Sequence, residues 1–441
     1  MYFVWPMAGL MFLVIADHMI MLPLMPEICR NFGVRDYWVP ALIGSYSVAT
    51  FVSAFAWGPW SDRLGRASLL RIFAAGFTLA NLLCALSTNV WMLLAGRVIT
   101  GLFGGPLGVT LNAYVGDLYE GDRRTRAIAY LSMGFPVAVI LAVPVGAVVG
   151  GAWGWQSVPF SLAAIGVILT ALVLHFPHIQ LPRIPQTLLT EYGEMFYVVF
   201  NRRGWPFFLS IFLIMATFFG YVANIAVWLV RNQGMDVTLN HHLALMYLYG
   251  GVGSILGAIS FRKMVNVFGR VELLVGSALL SGGMVYLLVS RPPNTVLWVL
   301  CLLFFLSQFS GSLRRPLAGL IAVDIAPAHL RGRYMAMLNI TISLAFGVAA
   351  GWSELVLTYP DVHRGQVYLI GMDKVALYIL AGTLASIPAL HLVNAEIRRV
   401  QAERDMAAPA VAEPPADDGL EEVPGAWDQP AKPVAPEKPG L

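Results

Sequence analysis

The chain has 441 residues, 58% hydrophobic and only 12% charged, about half the charged share of an ordinary soluble domain. A water-soluble fold of this size would lack the polar side chains to cover itself, and a formal net charge of +3 offers no phosphate-binding surface, so no nucleic-acid partner is expected. Cys29, Cys84 and Cys301 lie far apart without CxxC or Cys/His spacing, which gives neither a disulfide framework nor a metal site.

A bilayer core of about 30 Å takes roughly 20 apolar residues in a helix, with every backbone polar group bonded inside the segment. Twelve segments qualify: 4–27, 39–60, 69–88, 90–115, 127–151, 155–176, 206–231, 241–261, 271–290, 296–323, 334–357 and 373–395. The first apolar stretch has no basic start and is long enough to span, so it reads as a retained helix rather than a cleaved signal. One alternate set of connections holds Arg63, Arg66, Arg71, Arg123, Arg124, Arg126, Arg183, Arg202, Arg203, Arg262, Lys263, Arg270, Arg331 and Arg333, with Arg398, Arg399 and Arg404 after the last span. The other set holds only Arg30, Arg35, Arg231, Arg291, Arg364 and Lys374. The basic side is therefore expected to be cytoplasmic, and an even number of spans puts both termini there.

Span one carries Asp17 near its middle. A charge at a helix centre costs about 2.5–3.5 kcal/mol on insertion scales, so this carboxylate needs a reason. It could exchange a proton as a cavity opens to either side, or bond a neighbouring helix. His18 points about 100° away from it and makes no ready metal pair; the same holds for His241 and His242. After span two, Gly65 permits a tight turn, while Asp62 and Arg66 can pair with neighbouring helix ends. In span four Arg97 lies deep, though a long stem could snorkel. The pairs Gly101 and Gly105, Gly104 and Gly108, Gly146 and Gly150, and Gly347 and Gly351 allow close helix approach, and Pro144 falls in span five.

The segment 177–205, with Pro182, Pro185, Arg202 and Arg203, reads as a cytoplasmic linker with a short amphipathic piece. In span seven Phe207, Phe208, Phe212, Phe218, Phe219 and Tyr221 read as lipid-facing or packing surface, with a share in an apolar substrate wall as the lesser alternative. In span ten Arg314 and Arg315 could attract an anionic group or snorkel to the interface. Asn112, Asn224, Gln308 and Asn339 could line a path or bond between helices. Past Glu396 a run of prolines alternates with alanine and acids, a composition that cannot bury a core.

An internal repeat organises these parts. Asp117 and Asp324, Arg124 and Arg331, Arg126 and Arg333, and Ala129 and Ala336 each lie 207 apart (324 less 117). Asp62, Gly65 and Arg66 are echoed by Asn266, Gly269 and Arg270 at an offset of 204 (270 less 66). The expected fold is all-α: twelve transmembrane helices in two six-helix bundles, 1–176 and 206–396, a linker over 177–205 and a disordered tail over 397–441. Two halves entering the membrane the same way would pack about an axis along its normal, with a cavity near the midplane.

At this point the residues resemble a known family. Gly58, Asp62, Arg63, Gly65 and Arg66 follow the order G-x-x-x-D-R-x-G-R, close to the major facilitator signature G-x-L-x-D-R-x-G-R between its second and third helices. Asp17 with Pro23 and Pro26, Arg97 with Gly101, and Pro144 with Gly146 are similar to motifs of the bacterial drug:proton antiporter and sugar efflux branch. Ala67, Trp60 and Gln156 depart from those patterns. The resemblance implies a role for Arg97 in proton coupling or the cavity. It also implies that Asp62 pairs with the start of span eleven while Arg66 engages Asp117, shutting the cytoplasmic side; neutral Asn266 would hold more weakly.

The chain is thus expected to be a secondary transporter of the bacterial inner membrane, a monomer in lipid that exports small organic or amphipathic compounds with protons as coupling ion and no cofactor. A facilitator or importer of an anionic solute, and a transport-inactive scaffold or sensor acting through its tail, are the alternatives. No nucleophile and base pair or phosphate loop points to an enzyme.

Overall fold

A computed structural model describes residues 3–119, 121–177, 187–235, 242–327, 330–359 and 368–407. Among these residues there is no strand, only an isolated antiparallel bridge between Thr358 and Ile370. The first half contains α1 (Val4–Asn31), α2 (Trp38–Leu64), α3 (Arg66–Ala85), α4 (Val90–Leu118), α5 (Gly121–Ser132), α6 (Gly134–Val137), α7 (Val143–Trp153) and α8 (Ser157–Val173). A linker helix α9 (Leu188–Phe200) leads into α10 (Gly204–Gln233), α11 (His242–Phe268), α12 (Arg270–Val289), α13 (Leu297–Ser312), α14 (Arg314–Ile325), α15 (Arg331–Val356) and α16 (Met372–Ala407).

Ten helical stretches are long and apolar enough to cross a bilayer, α13 and α14 counting together as one. The other two predicted spans are shorter apolar helices, Ile140–Trp153 and Ser157–Val173. Proline lies close to the irregular turns in two of the predicted spans. Pro144 has no N–H for the carbonyl four residues back, and the chain ahead of it takes a π-helical turn over Ala138–Ala142. Pro316 has the same defect, and the helix breaks at Leu313 between α13 and α14.

The two motif turns have matching backbones. Gly65 ends α2 at φ 84° and Gly269 ends α11 at φ 77°, a region open to glycine and closed to most side chains. At α4 the Asn89 side chain caps the helix by accepting from the Met92 N–H at 2.9 Å. The last helix runs past Glu396 to Ala407, which corrects the expected tail boundary: Ala395, Gln401, Ala402, Glu403 and Arg404 are good helix formers, and proline first occurs at Pro409. Residues 408–441 lie outside the described residues.

Residues up to Ile397 form one compact unit, and those from Arg398 a second. Within the first, α2 packs on α3, α4 and α15, α10 packs on α15, and α11 packs on α7 and α13. Small residues set these distances. A Cβ on Gly101 would overlap the Tyr46 carbonyl oxygen, one on Gly105 would meet Thr50 Cγ2 at 2.7 Å, and one on Gly347 would meet Val48 Cγ2 at 2.7 Å. Gly146 and Gly150 admit Ile20 and Leu24 of α1 in the same way. Gly351 is the exception: a Cβ there would meet nothing within 4 Å, so its pairing with Gly347 is not a close contact. Trp5, Leu79, Trp91, Trp153, Ile259 and Leu355 stand exposed around the outside, as an apolar shell against lipid requires. Phe207, Phe208, Phe218 and Tyr221 of α10 are buried, so these aromatics pack inside rather than facing lipid.

Candidate functional site

Near the middle of the first half, α1 and α4 bring opposite charges together. Arg97 Nη1 donates to Asp17 Oδ1 at 3.1 Å and to Oδ2 at 3.0 Å, with both side chains out of solvent at 1% and 0% exposure. This settles the choice left open for Arg97: it is buried and does not snorkel. The partner of Asp17 comes from a helix 80 residues on in the chain, which is why no base one turn away on α1 could announce it.

The pair does not stand alone. Arg97 Cζ lies 4.7 Å from the ring centroid of Tyr46 on α2. On that ring, at 4.7 Å, stacks His18, which also meets Phe346 of α15 edge-on at 4.8 Å. Tyr46 is seated by the close approach of α2 and α4 that Gly101 permits. The contacts therefore run from the buried ion pair to the seam between the halves, with His18 and Tyr46 as the links that the sequence left unassigned.

A second ion pair bridges the seam itself. Arg231 in the last turn of α10 donates from Nε to Asp36 Oδ2 at 2.9 Å and from Nη2 to Oδ1 at 3.3 Å. Asp36 is 3% exposed and sits just ahead of α2, where a helix N-terminus favours an anion. A bidentate guanidinium–carboxylate fork is among the stronger protein ion pairs. Close by, Gly44 of α2 lies against Ala350 of α15. In the sequence Arg231 is one of the sparse charges and Asp36 carries no motif; the signal is an acid just before one span, beside Arg35, and a base at the end of another.

At the opposite end, where the motif turns lie, the repeat is visible as geometry. Arg66 Nη1 meets Asp117 Oδ2 at 2.5 Å and the Ala113 carbonyl at 2.8 Å. Arg270 meets Asp324 in the equivalent place. Each pair stays inside its own half. Helix α9 and the residue that ends it make the crossing: Tyr192 Oη donates to the Ala56 carbonyl of α2 at 2.9 Å, Glu194 pairs with Arg333 of α15, and Asn201, just past the helix, donates from Nδ2 to Tyr334 Oη at 3.1 Å. Arg124, Arg126, Arg331 and Asn266 are exposed. Gly58, Asp62 and Arg63 lie on the last turns of α2, and the surroundings of the Asp62 and Arg63 side chains lie outside what is described.

The other polar residues singled out by the sequence divide into two kinds. Asn224 is fully engaged in packing: its Nδ2 donates to Ser353 Oγ at 3.1 Å and its Oδ1 accepts from Tyr359 Oη at 2.6 Å. Gln308 is half-buried beside Gly250. Asn112 is exposed and its Nδ2 donates back along its own helix to the Gly108 carbonyl at 2.9 Å. Arg315 is exposed and donates to Asn339 Oδ1 of α15 at 3.1 Å. Its neighbour Arg314 is 1% exposed and lies over the ring of Phe218 at 4.2 Å.

Comparison with known proteins agrees with this architecture. The sequence is 23% identical over 385 residues to the MFS-type transporter YceJ of Bacillus subtilis, covering 86% of this chain and 95% of that protein. It is 22% identical over 368 residues to multidrug resistance protein 2 of the same organism, covering 80% and 89%. The fold is shared with an inward-facing, unoccupied bacterial homologue of the human lysosomal transporter Spinster, at a TM-score of 0.68 and 16% identity, covering 91% and 98% of the two chains. The Major Facilitator Superfamily pattern matches residues 7–350. With its all-helical bundle and paired motif turns, the chain belongs to that superfamily of membrane carriers, which are not enzymes.

Proposed function

We propose that this carrier exports small organic or amphipathic compounds by alternating access and draws its energy from protons moving inward, with Asp17 and Arg97 as the coupling pair. The observation that carries the reading is the burial of that pair against Tyr46 and His18, at the seam that must move. Breaking a buried pair by neutralising one partner strands the other charge at a cost of about 3–5 kcal/mol. A proton arriving on Asp17 would do this to Arg97, and the bundle can relieve it by rearranging so that water reaches the guanidinium. In this proposal the Lys- and Arg-rich end is cytoplasmic, Asp36 and Arg231 close the outer side, and the end of α2 that carries Gly58, Asp62 and Arg63 gates the inner side together with α9. The multidrug-resistance name of one relative supports export of organic compounds.

The test uses purified protein in proteoliposomes with an imposed pH gradient. Asp17→Asn should abolish gradient-driven accumulation of a lipophilic dye, while exchange of labelled for unlabelled dye without a gradient continues. Gradient-driven transport at the parent rate in Asp17→Asn would refute proton coupling through this residue.

A further inference from the structure

Among the described residues two arginines are buried inside the bundle, and they differ in one respect. Arg97 has Asp17. Arg314 has no counter-charge: among the described residues its Nε, Nη1 and Nη2 are all without a hydrogen-bond partner. Its one compensating contact is the face of Phe218, and a cation–π contact returns less than the desolvation of an unpaired charge takes away. Nothing in the fold asks for a cation here. The equivalent position 207 earlier is Leu107 (314 less 207), which is 0% exposed, so the repeat fills this place with an apolar side chain. Three open donor atoms in a planar fork, held dry, are what a carboxylate or sulfonate group would pair with.

Arg314 also stands at one end of a continuous run of rings. Phe218 neighbours Phe219 at 6.3 Å, Phe219 meets Phe346 at 4.4 Å, Phe346 meets His18 at 4.8 Å, and His18 stacks on Tyr46 at 4.7 Å. Tyr46 in turn lies under Arg97. The run crosses the seam from α10 to α15 to α1 and α2, so an apolar body lying along it would touch both halves while its charged end stayed on Arg314.

We propose that Arg314 is the receptor for an anionic headgroup, and that the carried compounds are organic anions, a carboxylate or sulfonate on an aromatic or aliphatic body. This rests on the transport reading and names its substrate class. Arg314 would turn from the Phe218 ring to take the anion, while the rings between Phe218 and Tyr46 take the apolar part. Exposed Arg315, one residue on and bonded to Asn339, would draw anions toward the site.

Three probes share a naphthalene ring and carry an anionic, a cationic and a neutral headgroup: naphthalene-1-sulfonate, trimethyl(1-naphthyl)ammonium and 1-naphthylmethanol. Their binding to the full chain in lipid nanodiscs is measured by calorimetry without any gradient. The parent should bind the sulfonate most tightly. Arg314→Gln should weaken the sulfonate at least tenfold and leave the alcohol unchanged, and Arg314→Lys should restore part of the loss. Equal sulfonate affinity in parent and Arg314→Gln, or a parent that prefers the ammonium probe, would overturn the proposal. Arg314→Leu should unfold at the parent temperature or above it, since it removes an unpaired buried charge. A lower unfolding temperature would show that Arg314 holds the fold together and would also overturn it. The two readings fail separately. A parent that binds sulfonate through Arg314 but shows no gradient-driven transport upholds the site and contradicts proton coupling; a parent that transports, with sulfonate affinity untouched in Arg314→Gln, does the reverse.

Discussion

Asp17 and Arg97 depend on each other for their place in a dry interior. Removing one charge leaves the other stranded, whereas removing both leaves two neutral groups that can still hydrogen-bond. Arg97→Gln should therefore lower the unfolding temperature, and the double variant Asp17→Asn, Arg97→Gln should recover most of the loss. A double variant no more stable than the worse single would mean that the pair is not what holds these residues. The sequence exposed half of this arrangement. A carboxylate in the middle of span one is legible because a charge in hydrocarbon needs a cause. Its partner, the ring stack of His18 on Tyr46 and the isolation of Arg314 are contacts between distant segments, and no spacing rule within one helix encodes them.

Helices in this bundle approach each other through glycines, but glycine spacing overstates how many matter. Gly101 and Gly351 both belong to small-residue pairs, yet only the first has a neighbour's backbone where a Cβ would go. Gly101→Ala should destabilise the protein by about 1–3 kcal/mol through overpacking, and Gly351→Ala should leave its thermal unfolding unchanged; equal effects of the two would contradict the packing described. The same contrast applies to the span count. Periodicity and length point to apolar segments, ten of which are long enough to span and two shorter, while a π-helical turn precedes Pro144 in one predicted span and the helix breaks at Leu313, ahead of Pro316, in another. Proline marks where a helix can break, but neighbouring helices decide whether the chain bends, bulges or simply tilts. The last helix was underestimated for the opposite reason, since a change from apolar to polar composition ends a membrane span without ending a helix.

Across the whole molecule the repeat was the most legible feature. Its two copies carry matching glycine turns after α2 and α11, and matching ion pairs, Arg66 with Asp117 and Arg270 with Asp324. These contacts lie within each half and are common to both, which suits units that move as rigid bodies. The contacts that join the halves are not repeated, and so were not legible: Asp36 with Arg231 at one end, α9 across α2 and α15 at the other. Neutralising the first should favour the state open on that side. In Asp36→Asn, a thiol reagent added from outside should label a cysteine placed at Tyr46 several-fold faster than in the parent, and unchanged labelling would show that the ion pair is no gate.

The central claim is that two rigid halves close one end as they open the other. Distances between paired spin labels test it most directly, in a background where the buried Cys29, Cys84 and Cys301 are replaced by serine. One pair, at Thr88 and Ser290, reports the Asp36 end; the other, at Leu64 and Phe268, reports the motif end, and all four positions are exposed. Lowering the pH or adding a transported compound should lengthen the first distance and shorten the second. Two distances that stay fixed under all conditions, or that lengthen together, would contradict the account.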